Sequence, residues 1–327
     1  MRFVLRRLGF FAVTLWAALT LNFLLPRMMP GSPAIAMMAK FHGRVTGQAL
    51  QAIEVAFGVN THQGLASQYV SYLGDVLTGK FGISLYFFPT PVSHVVLDAI
   101  PWTLGLVGIT TVLAWVLGTG VGIVSAWRRG GAVDSILPPV FVITSAIPYF
   151  WVGMMFILVF GVRLQWLPYT FAFDPTITPS FSLPFIANVL EHAILPASAL
   201  LITTIGTWIL TMRNTMVTTL AEDYVRMARA KGLSGRRIMY DYAARNAILP
   251  NLTGFAMSLG FVVGGAILIE YVFDYPGVGY MLLQAVENED YPLMQALFLL
   301  ITVAVLVAIL LSDIATALLD PRTRTAR

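Results

Sequence analysis

From Leu8 to Leu25 the chain runs for eighteen residues without a charged side chain. As a helix, such a run is about 27 Å long, close to the roughly 30 Å hydrocarbon core of a bilayer. Similar stretches recur at Thr103–Ala126, Ile136–Phe160, Ala193–Met212, Leu252–Phe273 and Met294–Leu311, and only the fifth of the six holds a charge, Glu270. Charged residues make up 11% of the 327, against about 25% in a soluble domain. So little charge cannot cover a water-facing surface of this size. The pattern predicts an all-α membrane protein with about six transmembrane helices.

A cleaved signal peptide also begins with basic residues followed by an apolar run. The first run is longer than a typical signal core, and no small-residue cleavage site follows it, so it reads as a retained helix. Residues 26–98 then mix Pro, Gly, Gln, His and charge, with short half-apolar pieces such as Gln68–Leu77. They form an insert after the first helix. The expected organisation is a tail and first helix over 1–25, an insert over 26–98, and a core of five helices over 99–327. Pro138, Pro139 and Pro148 predict a kink in the third span, tolerated where neighbours satisfy the freed carbonyls. Gly118, Gly120 and Gly122, and again Gly260, Gly264 and Gly265, offer small residues for close helix packing.

Six spans put both termini on one side. Fifteen of the 20 basic residues fall on that side and five on the other. Basic residues accumulate on the cytoplasmic face, so both termini are expected there and the insert outside. The basic balance is thus a topology signal, not a nucleic-acid footprint. Cysteine is absent, which excludes disulfides, thiolate metal sites and cysteine nucleophiles.

Residues 213–249 carry the densest charge. Thr219 and Glu222 have capping-box spacing and predict a helix beginning at Thr219, with Glu222 four residues before Arg226. Glu222 and Asp223 suit its positive end, and Arg226, Arg229 and Lys231 its negative end. Gly232 suits a left-handed stop. A second helix is expected from Ser234 to Asn246, and Pro250 suits the first turn of the fifth span. Tyr224, Met227, Ala228 and Lys231 are expected on one face of the first helix, Ile238 and Tyr242 on one face of the second. The arrangement fits either a connector facing lipid headgroups or a docking element for a cytoplasmic partner.

The stretch Glu222-Asp223-Tyr224-Val225-Arg226-Met227-Ala228-Arg229-Ala230-Lys231-Gly232-Leu233-Ser234, followed by Arg245-Asn246-Ala247-Ile248-Leu249-Pro250, closely resembles the cytoplasmic signature of binding-protein-dependent ABC importer permeases. The resemblance is strongest to the dipeptide/oligopeptide branch. It extends in order along nearly the whole chain. Its pieces are Arg6-Arg7-Leu8, Pro30-Gly31-Ser32-Pro33, the run from Gly79 to Leu85, Trp166-Leu167-Pro168 and His192-Ala193-Ile194-Leu195-Pro196. Glu270-Tyr271-Val272-Phe273, Pro276-Gly277-Val278-Gly279, Asp290-Tyr291-Pro292 and Leu319-Asp320-Pro321-Arg322 complete it.

The resemblance implies a type I importer permease in the inner membrane. In that family the segment corresponding to Glu222–Ser234 is a coupling helix that seats on an ATPase subunit. It further implies a second homologous permease, two ATPase subunits that bind ATP and Mg, and an extracytoplasmic solute-binding protein, in a complex that imports peptides. Relatives in the branch carry oligosaccharides or nickel, and these stand as alternatives. An ion-coupled secondary transporter is the alternative from another class.

The chain itself holds no GxxxxGK[ST] phosphate loop and no catalytic constellation, so it is expected to be no enzyme and to hold no cofactor. His42, His62, His94 and His192 lack metal-ligand spacing, and no metal site is expected. Gly277 and Gly279 read as a turn. Glu270 reads as a carboxylate that anchors a loop, not as a proton relay.

Overall fold

A computed structural model describes residues 2–28 and 64–319, and helices dominate throughout. The motif residues 30–33 and 320–322, and most of the expected insert with His42 and His62, lie outside the described residues. The chain divides into two compact units: Met1–Thr103 with Val263–Tyr271 and Pro276–Leu310, and Leu104–Val262 with Val272–Tyr275 and Leu311–Arg327.

The first unit holds helices α1 (Arg2–Met28), α2 (Leu65–Thr78) and α3 (Val92–Thr103). Aromatic and polar contacts join α1 to α2. Phe23 meets Tyr69 edge-on at 5.1 Å, and the Thr20 and Tyr69 hydroxyls lie 2.7 Å apart. The main core is built from Val92, Val95 and Ala99 of α3 with Val278, Leu282 and Ala285, and with Leu293 and Leu297 farther along the chain. Steps of three and four residues place each set on one helix face.

The second unit begins with a π-helical turn, Leu104–Gly108, leading into α4 (Ile109–Trp127). It continues with α5 (Ala132–Ser145), α6 (Tyr149–Phe156), a π-helical end at Ile157–Arg163, and the 38-residue α7 (Leu183–Leu220). The third span bends by 96° between α5 and α6, at Ala146–Pro148. The kink expected from the prolines therefore sits at Pro148, while Pro138 and Pro139 remain inside α5.

The glycines of α4 let α7 approach closely. A Cβ on Gly118 would lie 2.6 Å from Trp208 Cβ, and one on Gly122 would lie 2.8 Å from the Ile209 carbonyl. Gly120 has nothing near it, so the pair four residues apart carries the packing. Gly122→Leu is expected to destabilise the chain by about 1–3 kcal/mol, the usual cost of overpacking. Gly120→Leu, on the open side, should be nearly neutral. Thermal melts of the purified variants check both, and equal melting temperatures would refute this account of the contact.

Four helices are long and apolar enough to cross a bilayer unbroken, and the bent α5–α6 pair makes a fifth. The fifth sequence run differs from the expected continuous span. Its first helix, α8 (Leu249–Val262), is 14 residues long, about 21 Å, and is too short to cross alone. The chain becomes helical again only at α9 (Ile267–Val272). Gly264 and Gly265 lie in this break, and Gly265 has φ +69°, a conformation that favours glycine. They interrupt the span instead of packing two helices.

After the break, α9 carries Glu270, whose side chain is fully buried. It caps α10 (Val278–Glu287) from a distance. Gly279 N–H donates to Glu270 Oε2 at 2.8 Å, Tyr280 N–H to the same oxygen at 3.1 Å, and Thr103 Oγ1 to Oε1 at 2.8 Å. Val278 N–H in turn donates to Thr103 Oγ1 at 2.7 Å. The orphan amides at the start of a helix need acceptors, and here a glutamate and a threonine supply them. Gly277 and Gly279 are therefore a helix start and not the free-standing turn expected. A Cβ on Gly277 would lie 2.5 Å from the Glu270 carboxyl carbon, so glycine leaves the space the carboxylate occupies. The expectation that Glu270 anchors a loop agrees with this geometry.

Asp290 does a similar job at the start of α11 (Tyr291–Leu319). Its Oδ1 accepts Leu293 N–H at 3.2 Å as an N-cap. Its Oδ2 accepts Tyr86 N–H at 3.0 Å and the Ser84 hydroxyl. One carboxylate thus ties the Gly79–Leu85 motif to the Asp290-Tyr291-Pro292 motif.

Candidate functional site

The charged loop of the second unit folds into a helical hairpin. Helix α7 continues to Leu220, and Thr219 lies within it, its hydroxyl donating back to the Thr215 carbonyl at 2.7 Å. The capping box expected at Thr219–Glu222 does not form, because α7 runs two turns beyond the apolar span and absorbs Thr219. The next helix is Asp223–Ala230, with Glu222 in extended conformation at its N-cap. The acidic start and the basic last turn at Arg229 agree with the dipole argument. Arg226 lies 3.6 Å from Asp223 and not against Glu222. Both side chains are largely exposed, so the pair contributes about 0–1 kcal/mol.

The helix ends in a Schellman turn. Gly232 has φ +73°; its N–H donates to the Arg229 carbonyl at 2.9 Å, and Leu233 N–H to the Ala228 carbonyl at 3.3 Å. This pair of bonds defines the motif, and it is the left-handed stop expected at Gly232. Ser234 is extended, and a helical run follows through Gly235–Arg237, the π-type Ile238–Ala244 and Arg245–Ala247.

The two limbs share a small core. Val225, Ala228 and Ile238 are buried together, with Trp127, Leu220, Leu233 and Tyr242 packed around them. Ile238 and Tyr242 therefore do share a face. The face expected on the first helix divides, however: Ala228 turns inward with Val225, while Tyr224 and Met227 are 40% and 60% exposed. Spacing alone could not separate these residues, because the inward stripe, Val225 and Ala228, lies one position along from the outward stripe, Tyr224 and Met227. Tyr224 OH also accepts Asn246 Nδ2 at 3.0 Å, a strut between the limbs.

The outward surface carries exposed Arg226, Arg229, Lys231, Arg236 and Arg237 around Tyr224 and Met227. It has no nucleophile and no general acid beside a cavity. Chemically, it offers an apolar centre with a cationic rim on a helix that its own core holds rigid, which suits contact with another protein.

Two features that sequence reasoning missed hold this hairpin's surroundings. Arg213 Nη2 donates to Asp134 Oδ2 at 3.0 Å, its Nε donates to Oδ1, and Gly130 N–H also donates to Oδ2 at 3.0 Å. Asn251, fully buried one residue after Pro250, donates to Thr119 Oγ1 at 2.8 Å. The signal available was a polar residue just beside a span end, a common pattern that names no partner.

Residues 118–325 match the family model described as a binding-protein-dependent transport system inner membrane component. A probable peptide ABC transporter permease of Sinorhizobium fredii is 34% identical over 305 residues, covering 92% of each chain. The di/tripeptide transport system permease of Pseudomonas aeruginosa is 33% identical over 99% of each chain. The glutathione transport system permease of Escherichia coli is 31% identical over the same share.

Proposed function

Because the chain belongs to the family of binding-protein-dependent transport system inner membrane components, we propose that it is a membrane-spanning permease subunit of an ATP-driven peptide importer. In this reading Glu222–Ser234 is the surface on which a cytoplasmic ATPase subunit acts. The observation that carries the reading is the hairpin itself: a Schellman-stopped helix, rigid on its inner side, whose outer side leaves Tyr224 and Met227 exposed in a ring of cations. The peptide substrate rests on the full-length similarity to peptide, di/tripeptide and glutathione permeases. The complete importer comprises a second homologous permease, two ATPases that bind ATP and Mg, and an extracytoplasmic binding protein. The basic residues crowded on one side place both termini in the cytoplasm. A proton-coupled mechanism would need a free ionisable group within a span, and both oxygens of Glu270 are already engaged.

ATP-driven closure of the ATPase pair displaces the Asp223–Ala230 helix. Its core with Leu220 and Ile238 passes that motion to the spans on either side. Reversing Arg226, Arg229 and Lys231 to Glu, all on the exposed side, is expected to leave the chain folded. It should abolish co-purification of the ATPase subunits and lower peptide uptake at least tenfold. Unchanged assembly and uptake in that triple variant would sink the proposal.

A further inference from the structure

In the second unit, the irregular segment 164–182, the end of α6's π-helical extension and the first turns of α7 line a cavity of about 680 Å³. The segment is fastened in place. Asp174 N–H donates to Asn188 Oδ1 at 2.8 Å, and Phe171 N–H to the Phe273 carbonyl at 2.9 Å. The Tyr169 ring lies where a Cβ on Gly161 would sit, 2.6 Å from its nearest atom. Gln165 and Phe171, both on the cavity wall, hold positive φ of 53° and 63°. Non-glycine residues in that region carry strain, and such strain gathers at functional sites.

The polar groups on the wall are all of one kind. Asp174 and Glu191 line it, and no Lys or Arg does. Thr176 donates to Asp174 Oδ1 through both its N–H, at 2.9 Å, and its hydroxyl, at 2.8 Å. These bonds hold the Asp174 carboxyl below the usual carboxylate range and keep it ionised. His192 is only 8% exposed, yet it lines the cavity. Its Nδ1 lies 2.9 Å from the Asn188 carbonyl, which only accepts, so Nδ1 carries the proton. Nε2 is left as the acceptor, with no hydrogen-bond partner among the described residues. Trp166, 67% exposed, adds an aromatic face, which attracts cations.

We propose that this cavity binds a primary ammonium group, seated among Asp174, Glu191 and His192 Nε2 with Trp166 beside it. Three acceptor side chains meet the three donors of an ammonium group, which accepts nothing. A bare metal ion fits less well, because no three His, Asp or Glu side chains among the described residues come close enough to form its shell. The volume suits a small organic ligand or the end of a longer one. Two sources carry this group: the amino terminus of a short peptide, and a lysine side chain on a docking protein. The site's chemistry stands apart from the proposed transport role; only the side of the membrane it faces rests on that reading.

The test uses the purified full chain in lipid nanodiscs, with binding of 4-fluorobenzylammonium followed by fluorine NMR. The ammonium is expected to bind at least tenfold more tightly than 4-fluorobenzyl alcohol. Asp174→Asn with Glu191→Gln should erase that preference. Glu191→Gln alone, at an exposed position, should weaken it severalfold without altering the melting temperature. Displacement by dialanine but not by acetyl-dialanine assigns the peptide amino terminus. Displacement by N-acetyl-lysinamide alone assigns a lysine side chain. Equal binding of the alcohol, no effect of either variant, or displacement by neither competitor overturns the proposal. No step requires transport or ATPase partners, so a negative result here leaves the importer reading untouched, and the reverse also holds.

Discussion

Glu270→Ala is expected to lower the melting temperature of the purified chain by more than about 10 °C, or to prevent its accumulation in the membrane. The substitution removes the acceptor of Gly279 N–H, Tyr280 N–H and the Thr103 hydroxyl in one step. Each buried donor left without a partner costs about 1–3 kcal/mol. Three together approach the lower end of a domain's whole stability of about 5–15 kcal/mol. Glu270→Gln separates shape from charge. Its carbonyl oxygen can keep both amide bonds, and its NH2 can donate to Thr103 Oγ1, so a loss of only about 1 kcal/mol is expected. Fluorescence-detected melts of both variants provide the check. A Glu270→Ala protein that melts within about 2 °C of the parent would show that the cap at α10 does not hold the unit.

Asp134→Ala should be the next most damaging change. The carboxylate holds both Arg213 nitrogens and the Gly130 amide, and the Asp134 side chain is only 7% exposed. Breaking one side of a buried ion pair costs about 3–5 kcal/mol. Arg213 is a quarter exposed, so water recovers part of that and about 2–3 kcal/mol is expected. Arg213→Lys should also be destabilising, because a point charge cannot replace a planar fork. In the double variant Asp134→Ala with Arg213→Ala, the losses should fall well short of additive. Strict additivity would mean that the two side chains do not interact.

Much of this was legible from residue order. Uncharged runs of about eighteen residues have few homes other than a bilayer, so the helical class followed directly. Gly232 was readable as a left-handed stop because a basic helix ends there and few other residues tolerate that conformation. The helix starts were harder to read. Thr219 and Glu222 satisfied a capping pattern, but α7 extends past them, because the apolar span imposes no end on a helix whose next residues also favour one. Tyr224, Val225, Met227 and Ala228 are consecutive apolar pairs at the same spacing, so only the tertiary partner Ile238 decides which pair turns inward. The fifth span was read as continuous because Gly264 and Gly265 look alike in packing and in breaking a helix. The buried neighbour Glu270 separates the two roles. The 161–192 cavity left no sequence signal, since its acceptors come from a loop and from a helix start.

Helix α7 is a single element from Leu183 to Leu220, about 57 Å long, nearly twice the thickness of the apolar layer. His192 stands near one end, and Leu220, packed on the Val225 core, at the other. The two are separated by about 42 Å of rod. A pivot of about 5° around its middle would carry each tip roughly 2 Å in opposite directions. Unless the rod flexes at Pro196, the sole proline beyond its first turn, any pull below is felt above with the sense reversed. Thermodynamic linkage then makes the traffic two-way: whatever fastens the upper tip must change the affinity at the lower one by the same factor.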